Sequence, residues 1–211
     1  IGVVGGGFGT KGGGEKGAVG VTLMGVVFQD NVTARVEDGV HLNGDSLLVQ
    51  ADSGVLCVDI GASGGKSDNV AVNGVVAVNV VLNETIAQIE NGAYIDVGSN
   101  LILDPGSTAA EDNGSVIVTA SDDTFVIGVL GGVAVSEHIG GGATVGINAV
   151  LRNTQAVIGD LADDTSSGDR GSFASAGNVR VQAQNTGFVG IFAVAGSVAT
   201  SKPGTAPPPG D

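Results

Sequence analysis

The sequence predicts an all-β chain coiled as a parallel β-helix (a β-solenoid), and three observations carry that prediction. First, residues 49–89 and 118–158 align without a gap at a constant offset of 69 (118 − 49 = 69). Val49-Gln50-Ala51 falls on Val118-Thr119-Ala120, and Asn79-Val80-Val81-Leu82 falls on Asn148-Ala149-Val150-Leu151. What recurs is a spaced set of small and β-branched apolar residues, which is how a scaffold repeats. Second, apolar residues alternate with period two, the signature of strands. Third, 38 of 211 residues are glycine, more than twice the usual share of ~7%, which favours many tight corners over helices.

The first strand type comprises Thr22, Met24, Val26 and Phe28, and in later copies Val76, Val78, Val80, Leu82 and Val145, Ile147, Ala149, Leu151. These are expected to point inward, with the more polar alternate set (Ala77, Asn79, Val81, Asn83 and its partners) outside. Corners are expected at Gln29-Asp30-Asn31, Asn83-Glu84 and Arg152-Asn153, because the apolar parity shifts there in the later copies. The second strand type follows as Val32, Ala34, Val36; Thr85, Ala87, Ile89; and Thr154, Ala156, Ile158. A third type reads Leu47/Val49/Ala51, Val116/Val118/Ala120 and Val179/Val181/Ala183, each followed by a Gly-rich apolar run.

Residues 1–201 therefore form about three repeat copies, with polar inserts near 104–115 and 160–178 as loops leaving one side. Residues 202–211 read as a stiff Pro/Gly-rich tail or linker. If each turn takes roughly 20–25 residues, the chain makes about nine turns and a rod of order 40–45 Å at about 4.8 Å per turn. Right-handed winding is the default for parallel crossovers. A β-sandwich of hairpins is the structural alternative. With Ile1 already inside a Gly/Val pattern and no signal peptide, the chain is expected to be a piece of something longer.

Charge and composition narrow the function. A net charge of −14 from 22 acidic and 8 basic residues disfavours nucleic acid, which needs clustered Lys/Arg. An anionic membrane would repel the same surface. No apolar run is long enough for a membrane helix, and one Tyr with no Trp argues against the aromatic girdles of a membrane barrel. Membrane insertion is not expected. Cys57 is the single cysteine, aligns with Val126, and is expected to be a small buried apolar residue.

The strings Val76-Ala-Val-Asn-Val-Val-Leu-Asn-Glu-Thr85, Gly114-Ser-Val-Ile-Val-Thr-Ala-Ser121 and Gly131-Gly-Val-Ala-Val-Ser136 resemble repeat regions of very large bacterial secreted or surface exoproteins. These include filamentous-haemagglutinin-type adhesins, autotransporter passengers and leukotoxin-like repeats. The resemblance implies an exported parallel β-helix rod on the cell exterior, presenting loops or spacing a distal binding tip, with no catalytic residues to carry over.

The expected function is accordingly a non-catalytic structural or adhesive segment of an exported bacterial surface or fibre protein. Its expected partners are neighbouring repeats, further copies of itself, or a host or neighbouring cell surface. The alternative is a carbohydrate-active β-helix enzyme, a polysaccharide lyase or hydrolase, which requires paired carboxylates at a defined separation. No cofactor is expected. Asp160, Asp163, Asp164 and Asp169 gather carboxylates in the longest insert and are the candidate Ca²⁺ ligands; without EF-hand or Gly-rich nonapeptide spacing, a solvated loop is the competing reading. Glu111-Asp112-Asn113 and Asp122-Asp123 read as turns, and His41 and His138 as exposed turn histidines. Gly5-Gly6-Gly7-Phe8-Gly9-Thr10-Lys11 lacks the order of a phosphate loop and reads as a flexible Gly-rich loop. Asn31, Asn83 and Asn113 match the Asn-x-Ser/Thr acceptor pattern.

Overall fold

The computed structural model describes residues 2–8, 17–98, 114–161, 171–175 and 177–200. Its strands are β1 (Gly2–Phe8), β2 (Ala18–Val36), β3 (His41–Gly44), β4 (Leu47–Ser67), β5 (Val70–Ile89), β6 (Tyr94–Val97), β7 (Val116–Ser136), β8 (Ile139–Ile158), β9 (Phe173–Ser175) and β10 (Val179–Ala199). No helix among the described residues is long and apolar enough to cross a membrane.

The strands form three sheets, ordered β1-β4-β7-β10, β2-β5-β8 and β3-β6-β9. The chain visits them in fixed rotation, and every pairing among the described residues is parallel. This arrangement is compatible with a parallel β-helix. Among the described residues the alternative hairpin sandwich does not occur, because a hairpin needs antiparallel neighbours.

The gapless repeat reappears as strand register. Val49 pairs with Val118, Ala51 with Ala120 and Cys57 with Val126, while Asn79 pairs with Asn148 and Leu82 with Leu151. The third strand type extends to Val179, Val181 and Ala183 opposite Val116, Val118 and Ala120. Side chains that recur in sequence are thus stacked on one another about 4.8 Å apart.

The first and second sheets face each other and bury their inner rows together. Val55, Cys57 and Val126 of the first meet Val81 of the second, and Leu130 meets Met24, Val75 and Ala77. Ile95 and Val97 of the small third sheet join Val49, Ala51, Ala87, Ile89, Val116, Val118 and Ala120 in the largest cluster, at one end of the long strands. Toward the other end the interior thins to Ala18, Ala71 and Ala134. Glycines permit this close approach: a Cβ on Gly61 would lie 2.7 Å from Met24 Sδ and 2.9 Å from Val75 Cγ1.

Three expectations are corrected. The turn is far longer than the 20–25 residues expected: Asn43 and Asp96 are stacked neighbours 53 residues apart, Asn79 and Asn148 are 69 apart, and Asp123 and Thr186 are 63 apart. Long strands cause this, since β5 alone runs 20 residues without interruption. Four stacked strands rise only about 15 Å along the stack, while each long strand extends about 65 Å across it, so the expected nine-turn rod becomes a broad slab.

The corners at Gln29-Asp30-Asn31, Asn83-Glu84 and Arg152-Asn153 do not exist; all three lie inside continuous strands. With no corner, one parity holds along each strand. In β5 the inward residues are Ala71, Asn73, Val75, Ala77, Asn79, Val81, Asn83 and Thr85, all buried. Val76, Val78, Val80 and Leu82 sit on the outer side, and so do Val145, Ile147 and Leu151 in β8. For β2 the expected inward set of Thr22, Met24, Val26 and Phe28 is correct. The inversion in β5 follows from where the amides go, described below.

Two segments that the sequence predicts as loops contain strand. Gly2–Phe8 pairs with Leu56–Ala62, so the Gly-rich start is β1, while residues 9–11 lie outside the described residues. Within the 160–178 insert, Phe173–Ser175 forms β9 against β6. Most of the 104–115 insert, including Glu111-Asp112-Asn113, and the tail 202–211 also lie outside the described residues.

Candidate functional site: a buried polar ladder

Between the two long sheets, apolar layers alternate with polar ones along the strand direction. The largest polar layer is centred on Asp122, whose side chain is 0% exposed. Its Oδ2 accepts from Asn83 Nδ2 at 2.8 Å. Its Oδ1 accepts from Thr124 Oγ1 at 2.7 Å and from Arg152 Nη1 at 3.2 Å. Asn83 Nδ2 also donates to Thr124 Oγ1 at 2.9 Å, and Arg152 Nη1 to the Thr186 carbonyl at 2.6 Å. Toward the other edge of the stack, Ser53 Oγ donates to Asp30 Oδ2 at 2.7 Å. A carboxylate can remain inside because each oxygen receives donors, one of them cationic; hydrogen bonds to a charged group contribute about 1.5–3 kcal/mol each.

A second polar layer lies beyond the cluster of Val55, Cys57, Val81 and Val126. Asn79 Nδ2 donates to Asp59 and to Asn148 Oδ1 at 2.9 Å. An in-register parallel stack places like amides at the spacing that lets one donate to the next. This explains the inverted parity: Asn79 and Asn83 face inward because Asp59 and Asp122 meet them from the opposite sheet. Asp122, read from sequence as a turn residue, is in mid-strand. One signal was available, since Asn79 and Asn148 are identical across the repeat where most polar positions change.

The chain matches no family model, no curated protein and no solved structure.

Of the four candidate Ca²⁺ ligands, Asp160 is described: it is exposed, and its Oδ1 accepts from the Asn91 backbone N–H at 3.1 Å. Asp163, Asp164 and Asp169 lie outside the described residues. Among the described residues no group of three or more His, Cys, Asp or Glu side chains is arranged to hold a metal ion. His41 opens β3 rather than a turn and stacks on Tyr94, with ring centroids 4.2 Å apart. His138 is exposed between β7 and β8, with Nδ1 3.1 Å from the Asp68 carbonyl. Asn83 is buried and hydrogen-bonded, so it is no acceptor for a glycan in the folded protein. Asn31 is exposed, and Asn113 lies outside the described residues. On the outer face of the second sheet an open concavity of about 340 Å³ is lined by Gln29, Asn31, Leu82, Glu84, Leu151 and Asn153 among others; Glu84 accepts there from Asn153 Nδ2 at 3.2 Å.

Cys57 is buried, as its alignment with Val126 implied. Burial holds its thiol above the ordinary range, with the charge of Asp59 and a hydrogen bond to it acting in the same direction. A raised folded-state value means the folded protein keeps a proton that the unfolded chain loses. This contribution to stability is complete below the unfolded thiol's range and declines as pH rises through it toward the folded value. Cys57 should therefore resist aromatic disulfide reagents in buffer and react at once in denaturant, and Cys57→Ala should flatten the loss of stability on the alkaline side. Prompt labelling of the folded protein would contradict the burial.

Proposed function

We propose that this chain is a non-catalytic structural segment of an exported bacterial surface or fibre protein: a β-solenoid whose few turns form a broad slab. The slab lengthens into a rigid rod as further turns or copies stack on it, and it presents loops or joins neighbouring copies. The observation that carries the reading is the unbroken register of strands about 20 residues long across successive turns, with Asp59, Asp122, Asn79 and Asn83 engaged in hydrogen bonds that tie one sheet to the other. Such bonds fix register, the recurrent use of polar groups inside a packed structure. A rod built this way resists shear because each long strand is held along its whole length by its neighbours. The placement outside the cell rests on the resemblance of the repeats to exoprotein repeats and on the acidic surface of a chain of net charge −14.

A panel of neutral and acidic polysaccharides separates this reading from a carbohydrate-active enzyme. The folded chain should release no reducing or unsaturated ends from any member. Turnover that Glu84→Gln abolishes, with the β spectrum retained, would overturn the reading.

A further inference from the structure

Resting on the structural reading above, we propose that the molecule docks head to tail on a second copy of itself. The free edge of β8 pairs in parallel with the free edge of β2 in the next copy, so that Arg152 meets that copy's Asp30. Among the described residues β2 and β8 are the two edges of the second sheet, and an unpaired edge is a template for another strand.

Two observations identify the occupant as another rung of this same design. The first is the uncovered interior of β10. Val116, Val118 and Val126 of β7 are each 0% exposed, while their register partners Val179, Val181 and Val189 are 50%, 47% and 46% exposed. Those side chains point inward and, among the described residues, lack the second-sheet strand that covers their equivalents. In the next copy, β2 carries the matching inward row of Met24, Val26, Phe28, Val32, Ala34 and Val36.

The second observation is charge. One inward column of the second sheet runs Asp30, Asn83, Arg152, so it ends in a carboxylate at one edge and a guanidinium at the other. Stacking β2 of the next copy on β8 with that column continued sets Arg152 beside Asp30 at about 4.8 Å strand spacing. Arg152 keeps its bonds to Asp122 and Thr186, since a guanidinium has five N–H donors. The other rows fit as well: Met24 comes over Gly146, Phe28 over Val150, Ala34 over Ala156, and on the outer face Asn31 over Asn153. On the first sheet Asn185 occupies the position of Ser53, which already bonds Asp30 within the chain. In this arrangement β10 takes the edge of β4 in the next copy and displaces β1, which holds only seven of its positions.

Sedimentation and cysteine cross-linking test the docking. In a Cys57→Ala background, Asn31→Cys with Asn153→Cys should give disulfide-linked oligomers under mild oxidation. Within one molecule β5 separates these residues by about 9.6 Å, beyond the reach of a disulfide at about 7 Å. Asn31→Cys with Gln155→Cys, two residues out of register, should cross-link at least about tenfold less. The unmodified chain should self-associate with rising concentration, and Asp30→Asn should weaken that association at least about tenfold. A monomer at every concentration, or equal cross-linking by both pairs, overturns the docking. A monomer that keeps its β spectrum refutes the docking alone, whereas polysaccharide turnover refutes the structural reading alone.

Discussion

Val118→Asp is expected to remove the cooperative unfolding transition of this protein. Val118 is 0% exposed, lies among Val49, Ala51, Ala87, Ile95 and Val116 in the largest apolar cluster, and pairs with Val49 on one side and Val181 on the other. The neighbours in that cluster offer an incoming carboxylate no side-chain donor. Burying an unpaired charge costs several kcal/mol even after relaxation, and losing the Val side chain forfeits a further 1.5–3 kcal/mol or so of burial. Domains are stable by only about 5–15 kcal/mol, so one substitution consumes most of the margin. Urea melts followed by circular dichroism should show a shallow or absent transition. An unchanged midpoint would mean that this column is not inside.

Four residues further along the same strand and the same inward row, the chemistry reverses. Asp122→Ala is expected to destabilise by about 3–5 kcal/mol, the range for breaking a buried ionic network on one side. Alanine is the more apolar residue, so a uniformly dry interior predicts a neutral or stabilising change. The structure predicts the opposite, because Asn83, Thr124 and Arg152 would lose their shared acceptor. Asp122→Asn should cost less, since it retains one acceptor oxygen. Asp123→Ala provides the control: its carboxylate faces outward and accepts one exposed bond from Thr186 Oγ1 at 2.8 Å, and its loss should cost less than about 1 kcal/mol. Equal effects at positions 122 and 123 would contradict the assignment of an interior polar layer.

The contrast between Val118 and Asp122 also marks how far the sequence could be read. Repeat identity translates directly into strand register, so the pairings of Val49 with Val118 and Leu82 with Leu151 were legible. So were the inward faces of Val49/Ala51, Met24 and Ala87/Ile89, which sit in apolar clusters. The face of Val75–Val81 was not, because hydrophobicity alone assigns Asn79 and Asn83 to the outside, and their partners Asp59 and Asp122 lie 20 and 39 residues away on the opposite sheet. That one inversion created the apparent corner at Asn83-Glu84, and the turn length expected from comparable repeats is less than half the real one because the strands run on without corners. The third sheet was missed for a different reason: His41–Gly44 and Tyr94–Val97 are four residues each, too short for a period to be recognised. Of the polar sites, Asp122 and Arg152 were assigned to a turn and a corner, since nothing local to either residue announces a buried pair.

Cysteine scanning of residues 71–85, one position at a time in a Cys57→Ala background, probes the unbroken inward parity of β5 most directly. The folded protein should protect positions 71, 73, 75, 77, 79, 81, 83 and 85 against a bulky thiol reagent and leave 72, 76, 78, 80 and 82 reactive, with no change of phase at Asn83-Glu84. Protection of 76, 78, 80 and 82 together with 85, the pattern of two strands meeting at a corner, would contradict it.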